Sequence, residues 1–352
     1  MTTLIIGGGL SGLAIAEQLE QLGVDYQLLE ARNRLGGRIL TEYLSSGYFD
    51  MGPAWYWPGQ ARIEKLIQRF KLNGFEQYSS GAMLYQDKQG KLQTIPDYAP
   101  MRGSLRVEGG LARLIDMLAS QIPDKRIHLG STVKQLEMHR TGIKARLSDQ
   151  REFLADQVII ALAPRMAADI SFSPPLADST DDIMRSIPTW MAGQAKALAI
   201  YETPFWRQKG LSGDAMSHLG PMVEMHDASP LEGGPYALFG FIGTHPNFRK
   251  DLSVLRNDIV EQLAALFGDA ARDPLKLLVK DWALDPFTAT EKDQQPLTAH
   301  PHYGLADQMS GLWKGKLIFS GTEVASESGG YLEGALVAAE NALAMFLQKP
   351  SS

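Results

Sequence analysis

The sequence predicts an α/β fold: a discontinuous nucleotide-binding domain and a second, substrate domain of mixed sheet plus helices. Three observations predict it. A strand–glycine turn–helix–strand unit opens the chain. A second glycine motif, flanked by arginines, follows at once. A strand, a loop of small residues and an alanine-rich helix close the chain. The nucleotide-binding domain is expected over 1–57, 101–170 and 305–352. The substrate domain is expected over 58–100 and 171–304.

The opening unit comes first. Leu4-Ile5-Ile6 is a short apolar run ending in Gly7-Gly8-Gly9. A helical pattern follows through Leu10, Leu13, Ala14, Ala16, Leu19 and Leu22, and Gly23 stops it. Val24 to Leu29 reads as a second strand ending at Glu30. Within it, Gly7, Gly9 and Gly12 satisfy G-x-G-x-x-G, with Leu10 and Ser11 between the last two glycines. Such a turn lets the backbone approach a pyrophosphate, and the helix N-terminus faces that anion with free N–H groups. Glu30 can accept hydrogen bonds from ribose hydroxyls and would repel a 2′-phosphate. With the strand before it and the acidic residue in place, the motif marks a Rossmann-like dinucleotide unit. Alone it does not separate FAD from NAD.

Arg32-Asn33-Arg34-Leu35-Gly36-Gly37-Arg38 makes that separation. Paired glycines between arginines suit close backbone approach to an anion, with guanidinium groups to neutralise it. A plain NAD unit has no use for the segment, so FAD is the expected cofactor.

Further along, Ile63–Leu72, Leu111–Ile122 and Leu255–Phe267 read as helices. Ile127–Leu129, Val133–Met138, Ile143–Leu147 and Val158–Ala161 read as strands of a small antiparallel or mixed sheet. Ala195–Tyr201, Tyr236–Ile242, Lys276–Trp282 and Leu317–Phe319 are further strands, and a helix is expected from about Tyr331 to Leu347.

Composition excludes several functions. A net charge of −6 lacks the basic excess of a nucleic-acid binder. No apolar run approaches bilayer length and no signal peptide is legible, so a cytoplasmic protein with no membrane partner is expected. The cysteine count is zero, which removes disulfides, thiolate metal sites and a catalytic thiol. The seven histidines show no HExxH spacing. His300 and His302 read as an exposed loop pair beside prolines, and no metal site is expected.

With these motifs the sequence resembles the flavin-containing amine oxidases, the family of the monoamine oxidases, nearly from end to end. Gly7–Gly12, Glu30 with Ala31 and Arg32, and Gly36, Gly37 and Arg38 resemble its N-terminal fingerprint. Asp50-Met51-Gly52-Pro53-Ala54-Trp55 resembles its D-x-G segment beside the flavin. Val133 falls where the family places a valine at the adenine end. Gly321-Thr322-Glu323 and Gly330-Tyr331-Leu332 follow its C-terminal pattern. The resemblance implies that Gly52, Pro53, Ala54, Trp55, Val133, Gly321, Thr322, Glu323, Gly330, Tyr331 and Leu332 contact FAD. It also implies that Lys196, in Gln194–Tyr201, is a buried catalytic lysine holding a water at the flavin.

The implied reaction removes a hydride from the carbon next to an amine nitrogen. Oxygen then reoxidises the flavin and hydrogen peroxide forms. Tyr331 matches one of two family rings that flank the amine. The second is missing from its place, with Phe287 or Tyr303 as substitutes. Trp55, Trp282 and Phe287 are the expected pocket residues. Because there is no cysteine, a cysteinyl flavin is impossible and a noncovalent one is expected. The stretch from Gln60 to Glu108 is short for the family. The pocket is therefore open, or closed by a second copy in a homo-oligomer. Trp55 stands where related amino-acid oxidases carry an arginine for the substrate carboxylate, which favours a small amine over an amino acid. The alternatives are a desaturase of the protoporphyrinogen oxidase or phytoene desaturase type, and a flavin-bound scaffold with little catalysis.

Overall fold

The structure is a computed structural model that describes residues 2–44, 47–295, 297 and 299–348. Its nucleotide layer is a five-stranded parallel sheet. Across it run Leu317–Phe319, Gln157–Ile160, Thr2–Ile6, Asp25–Leu29 and Ile127–His128. Strands covered on both faces need unbroken apolar runs, and Gln157–Ile160 and Leu317–Phe319 are buried throughout. The helix Leu10–Gln21 packs against the terminal helix Leu332–Leu347. Ile5, Leu13, Leu19, Leu28, Ile159, Leu336 and Ala339 share one core there.

The expected small sheet splits in two. Val133–His139, Gly142–Leu147 and Glu152–Ala155 form antiparallel neighbours, and Ser171–Ser173 joins in parallel. Ile127–His128 and Gln157–Ile160 pair instead with the parallel sheet. Charged residues beside the apolar ones suggested one small sheet, but Gln157–Ile160 has all four residues buried and therefore belongs in the middle layer.

The third layer is a seven-stranded sheet. Its order is Lys276–Asp281, Ala195–Tyr201, Tyr236–Ile242, Met222–Asp227, Leu211–Ser217, Ala82–Gln86 and Leu92–Ile95. All pairs are antiparallel except Ala82–Gln86 with Leu211–Ser217. The helix Leu252–Phe267 covers one face through Leu255, Ile259, Leu263 and Phe267, which pack on Trp206, Ala197 and Met225. Asp251 caps that helix by accepting from the backbone N–H groups of Ser253 and Val254.

Several elements lie outside the sequence expectation. The strands Ala82–Gln86, Leu92–Ile95, Leu211–Ser217 and Met222–Asp227 and the helix Asp178–Ser186 were not anticipated. The helix Ala61–Arg69 was placed with the substrate segments. Its buried Ile63 and Ile67 sit in the nucleotide-layer core, and Arg62 pairs with Glu333 of the terminal helix. Among the described residues, no helix is long and apolar enough to cross a membrane.

One buried ion pair fastens the end of the large sheet. Arg249 is fully buried, and its Nε and Nη2 lie 2.6 and 2.8 Å from Asp281. The same guanidinium donates to the carbonyls of Thr244 and Gly193. Removing one partner of such a pair leaves a buried charge uncompensated. Arg249→Ala is expected to cost about 3–5 kcal/mol in urea unfolding at neutral pH; a cost below about 1 kcal/mol would contradict this assignment.

Candidate active site

The glycine turn after Thr2–Ile6 runs straight into the helix Leu10–Gln21, which has no side-chain cap at Gly9. Its first N–H groups are therefore available to an anion. A Cβ on Gly12 would sit 1.9 Å from the Gly7 carbonyl oxygen, so only glycine lets the helix start here. The Ser11 hydroxyl is already engaged, 2.5 Å from the Ser320 carbonyl, and ties this helix to the C-terminal strand. Leu10 is buried in the helix core.

Glu30 is buried, and its carboxylate accepts from the backbone N–H of Gly8 at 2.7 Å and of Arg32 at 2.8 Å. Those bonds fix it at the mouth of the turn, next to the partly exposed Ala31. The Arg32 side chain turns away to Asp285 and Thr288. Arg34 donates to the carbonyls of Leu35, Gly37 and Ile39 and so holds the second glycine loop in shape. Gly36 bridges to the first loop through its N–H and the Gly8 carbonyl, 2.8 Å apart, and Gly37 packs on Gly9. Val133 is buried at the start of its strand.

From the C-terminal side, Gly321 abuts the Leu162 carbonyl. The Thr322 hydroxyl accepts from the Gly330 N–H and donates to the Tyr331 carbonyl, closing the loop between them. Leu332 is buried behind it. Glu323 is fully buried. Arg38 Nη1 comes within 2.7 Å of its Oε1 as an ion pair, and Oε2 has no hydrogen-bond partner among the described residues. Buried polar groups are rarely left so. A carboxylate in that state, beside glycine loops and an open helix N-terminus, fits a ligand rich in hydroxyls and phosphates. The residues present therefore fit a flavin dinucleotide.

Gly52 connects this cradle to the large sheet. A Cβ there would lie 2.0 Å from the Arg38 carbonyl oxygen, and the Gly52 carbonyl accepts from Lys196 Nζ. Lys196 is buried in the strand Ala195–Tyr201. Its ammonium lies 4.8 Å from the Phe239 ring centroid, 5.0 Å from Phe241 and 5.7 Å from Trp55. Burial pushes its pKa down to about 8, against the pull of Asp50 and Glu224. Asp50 accepts from the Thr41 hydroxyl and the Leu111 N–H, and burial raises its carboxyl. Pro53 and Ala54 continue the segment, Ala54 buried.

The expected pocket residues divide between places. The Trp55 indole N–H donates to Gln77, and its ring meets His226 and Phe239. Trp282 is buried and donates to the Met51 carbonyl, next to Gly52. Phe287 lies elsewhere, beneath the Arg32 guanidinium at 5.4 Å. Tyr331 is exposed at the start of the terminal helix and stacks on His300, with ring centroids 4.7 Å apart and planes 4° apart. The proposed substitutes, Phe287 and Tyr303, are not stacked on it. Tyr303 meets the edge of His300 and donates to the Pro188 carbonyl.

Sequence reasoning missed His300, Phe239, Phe241, Glu224, His226 and Arg106. Phe239 and Phe241 alternate on an expected strand, a signal that could have placed them on one face. Arg106 donates to the carbonyls of Ser229 and Ala228, and nothing in its sequence surroundings marks it. Among the described residues, no group of three or more His, Asp or Glu is placed to hold a metal ion.

The model of the family described as flavin containing amine oxidoreductase matches residues 10–100 and 91–342. The chain belongs to that family. A Mycobacterium tuberculosis protein named as a flavin-containing monoamine oxidase is 26% identical over 97% of this chain and 95% of its own length. Mouse amine oxidase B is 23% identical over 96% of this chain and 84% of its own. Among solved structures, a putrescine oxidase variant superposes with a TM-score of 0.83 at 20% identity, covering 99% of this chain and 100% of its own. Cyclohexylamine oxidase from Brevibacterium oxydans gives 0.83 at 20% identity, with 98% of each chain covered. The family therefore has the flavin-domain fold read from the N-terminal motifs, and the protein is a flavin-dependent oxidoreductase. The desaturase and scaffold alternatives are not favoured. The mycobacterial alignment runs over 442 positions against 352 residues here, so the relative carries insertions that this chain lacks.

The lowered pKa of Lys196 has a consequence for stability. An unfolded lysine keeps its ordinary value of 10.5. Between pH 8 and 10.5 the unfolded chain therefore holds a proton that the folded one has lost, and stability rises with pH. Below pH 8 both states are protonated and the folded state bears the full cost of the buried charge. The stability of the native protein relative to Lys196→Met should rise by about 3 kcal/mol from pH 7 to above pH 10.5. A difference that does not change with pH would show an ordinary lysine.

Proposed function

We propose that this protein is an FAD-dependent oxidase of small amines, with the cofactor held noncovalently. The observation that carries the reading is Lys196: a buried lysine in a wall of aromatic rings, fixed to the carbonyl of a glycine whose other side abuts the nucleotide cradle.

When bound, the flavin supplies hydride acceptance from the carbon next to the amine nitrogen, and transfers the electrons to O2 to give H2O2. The chain does the rest. Glu30 holds ribose hydroxyls at one end of the cradle, near Ala31, Arg32 and Val133. Gly7 makes the turn, and Gly9, Leu10, Ser11 and Gly12 offer backbone N–H groups to a pyrophosphate, with Gly36, Gly37 and Arg38 on the other side. Gly321, Thr322, Glu323, Gly330 and Leu332 line the ribityl end. A carboxylate at one end and a phosphate turn in the middle require a dinucleotide, which supports FAD over FMN. Gly52, Pro53, Ala54 and Trp55 pass the reactive end. Lys196 orients a water there, and its lowered pKa lets it exchange a proton near neutrality. Trp55 and Trp282 exclude bulk water, and Tyr331 presents a ring face that attracts an alkylammonium group.

Anaerobic addition of small primary amines should bleach the visible flavin spectrum, and air should restore it with one equivalent of peroxide. A spectrum that no amine bleaches would sink the oxidase reading while leaving the family intact. Acid precipitation should release the yellow cofactor into the supernatant with the mass of FAD. Colour retained in the pellet would contradict noncovalent binding, and FMN in the supernatant would contradict the dinucleotide.

A further inference from the structure

Trp55 lies outside the helices and strands, so its side-chain contacts set the angle of its half-buried ring. Phe239 meets that ring with centroids 5.2 Å apart and His226 with centroids 5.3 Å apart. The Lys196 ammonium lies 5.7 Å from its centre. Ring packing is only weakly directional, whereas a hydrogen bond fixes a direction. The indole N–H supplies one: it donates to Gln77 Oε1 at 2.8 Å.

Gln77 is itself buried, and its Nε2 donates to the carbonyls of Asp227 at 2.7 Å and Tyr78 at 3.1 Å. An indole N–H only donates and a carbonyl only accepts. The amide therefore has one workable orientation, with Oε1 toward Trp55. Asp227 is held in turn, because its carboxylate accepts from Trp206, Arg207 and the Ser229 N–H. The backbone around Gln77 is tied down as well. It follows the strand Gly74–Glu76, which pairs with Leu105–Val107, and Leu105 exchanges two backbone hydrogen bonds with Tyr56. Arg106, beside Leu105, donates to the carbonyls of Ser229 and Ala228. The short stretch between Gln60 and Glu108 thus grips Trp55 and the end of the strand Met222–Asp227 together.

A network this complete would serve packing alone if the ring it holds were sealed in the core. Trp55 instead keeps an open side, next to the buried Lys196. We propose that Gln77 is the positioning residue that fixes the tilt of the Trp55 ring and so sets the width of the amine site. This rests on the amine-oxidase reading and adds to it a residue behind the pocket wall that decides which amines fit. A wall that cannot turn accepts an unbranched chain and rejects a carbon that is part of a ring. Without Gln77 the indole N–H loses its acceptor, and a polar group left unpaired in a protein interior is costly. The ring then turns to find another partner, and the wall yields. Because Gln77 acts through Trp55, its loss falls on binding and selection and spares the limiting rate.

The test uses the flavin-loaded enzyme without oxygen, with bleaching rates measured against concentration for pentylamine and for cyclohexylamine. The native enzyme should half-saturate with pentylamine at about tenfold lower concentration, the scale on which pockets separate alkyl groups of similar size. Gln77→Met should bring the two amines within about twofold of each other and leave the limiting rate for pentylamine near native. Residues that act as one unit are not additive. Adding Gln77→Met to Trp55→Phe should therefore leave the selectivity where Trp55→Phe alone puts it. Proton NMR gives a readout independent of turnover. The indole N–H resonance missing from Trp55→Phe identifies Trp55, and in Gln77→Met it should move upfield and exchange faster with D2O. An unmoved resonance overturns the positioning role, and so does an additive loss in the double variant or an equal loss for both amines in Gln77→Met. Selectivity retained in Trp55→Phe, or absent from the native enzyme, overturns it even if Gln77→Met fails to fold. Bleaching by neither amine sinks the amine reading, and the width role with it.

Discussion

Gly52 is touched from both sides, and the two halves of the protein meet through that contact. On one side the Arg38 carbonyl oxygen occupies the space a Cβ would need, 2.0 Å from its ideal position. On the other, the Gly52 carbonyl receives Lys196 from the large sheet. Arg38 belongs to the second glycine loop and reaches Glu323 with its guanidinium. A line of contacts thus runs from the sheet lysine through Gly52 and Arg38 to the C-terminal loop. Any side chain at position 52 would push the cradle and the lysine apart together.

Burial of Lys196 is an energetic liability that the surroundings only partly offset. Asp50 and Glu224 favour the ammonium, Arg106 opposes it, and desolvation outweighs them all. Three aromatic faces and one carbonyl replace its lost hydration. Features that cost stability without a packing gain are concentrated at functional sites. Glu323, fully buried with Arg38 as its ion-pair partner, belongs to the same category. Both lie along the line through Gly52, where the strain of the fold and the proposed chemistry coincide.

The nucleotide half was legible in the sequence because its information is local. A turn, a helix start and a strand end follow one another between Leu4 and Glu30, and each constrains the next. The strands Ala195–Tyr201, Tyr236–Ile242 and Leu317–Phe319 were equally plain, since each is an apolar run, broken in the first only by Lys196. Leu211–Ser217 was not, because its sequence is mostly small and polar residues that become buried only through their neighbours. The helix Asp178–Ser186 buries only Thr180 and Met184, too little apolar pattern to read. The rest of the site escaped for another reason. Glu224, His226 and Phe239 meet through sheet register. His300 reaches Tyr331 across a loop, and periodicity carries no record of either. Phe287 shows the converse. Its nearness in sequence to Trp282 suggested the pocket, but its ring lies under Arg32.

Among the described residues, the strand Leu317–Phe319 pairs only with Gln157–Ile160, at the edge of a sheet whose centre is Thr2–Ile6. During synthesis the N-terminal strands leave the ribosome long before this edge strand exists. Until it arrives, Gln157–Ile160 presents an apolar row of unpaired backbone groups, the kind of template on which chains stick to one another. The terminal helix that covers Leu10–Gln21 arrives later still. Chain order therefore leaves this apolar edge uncovered until synthesis is nearly finished.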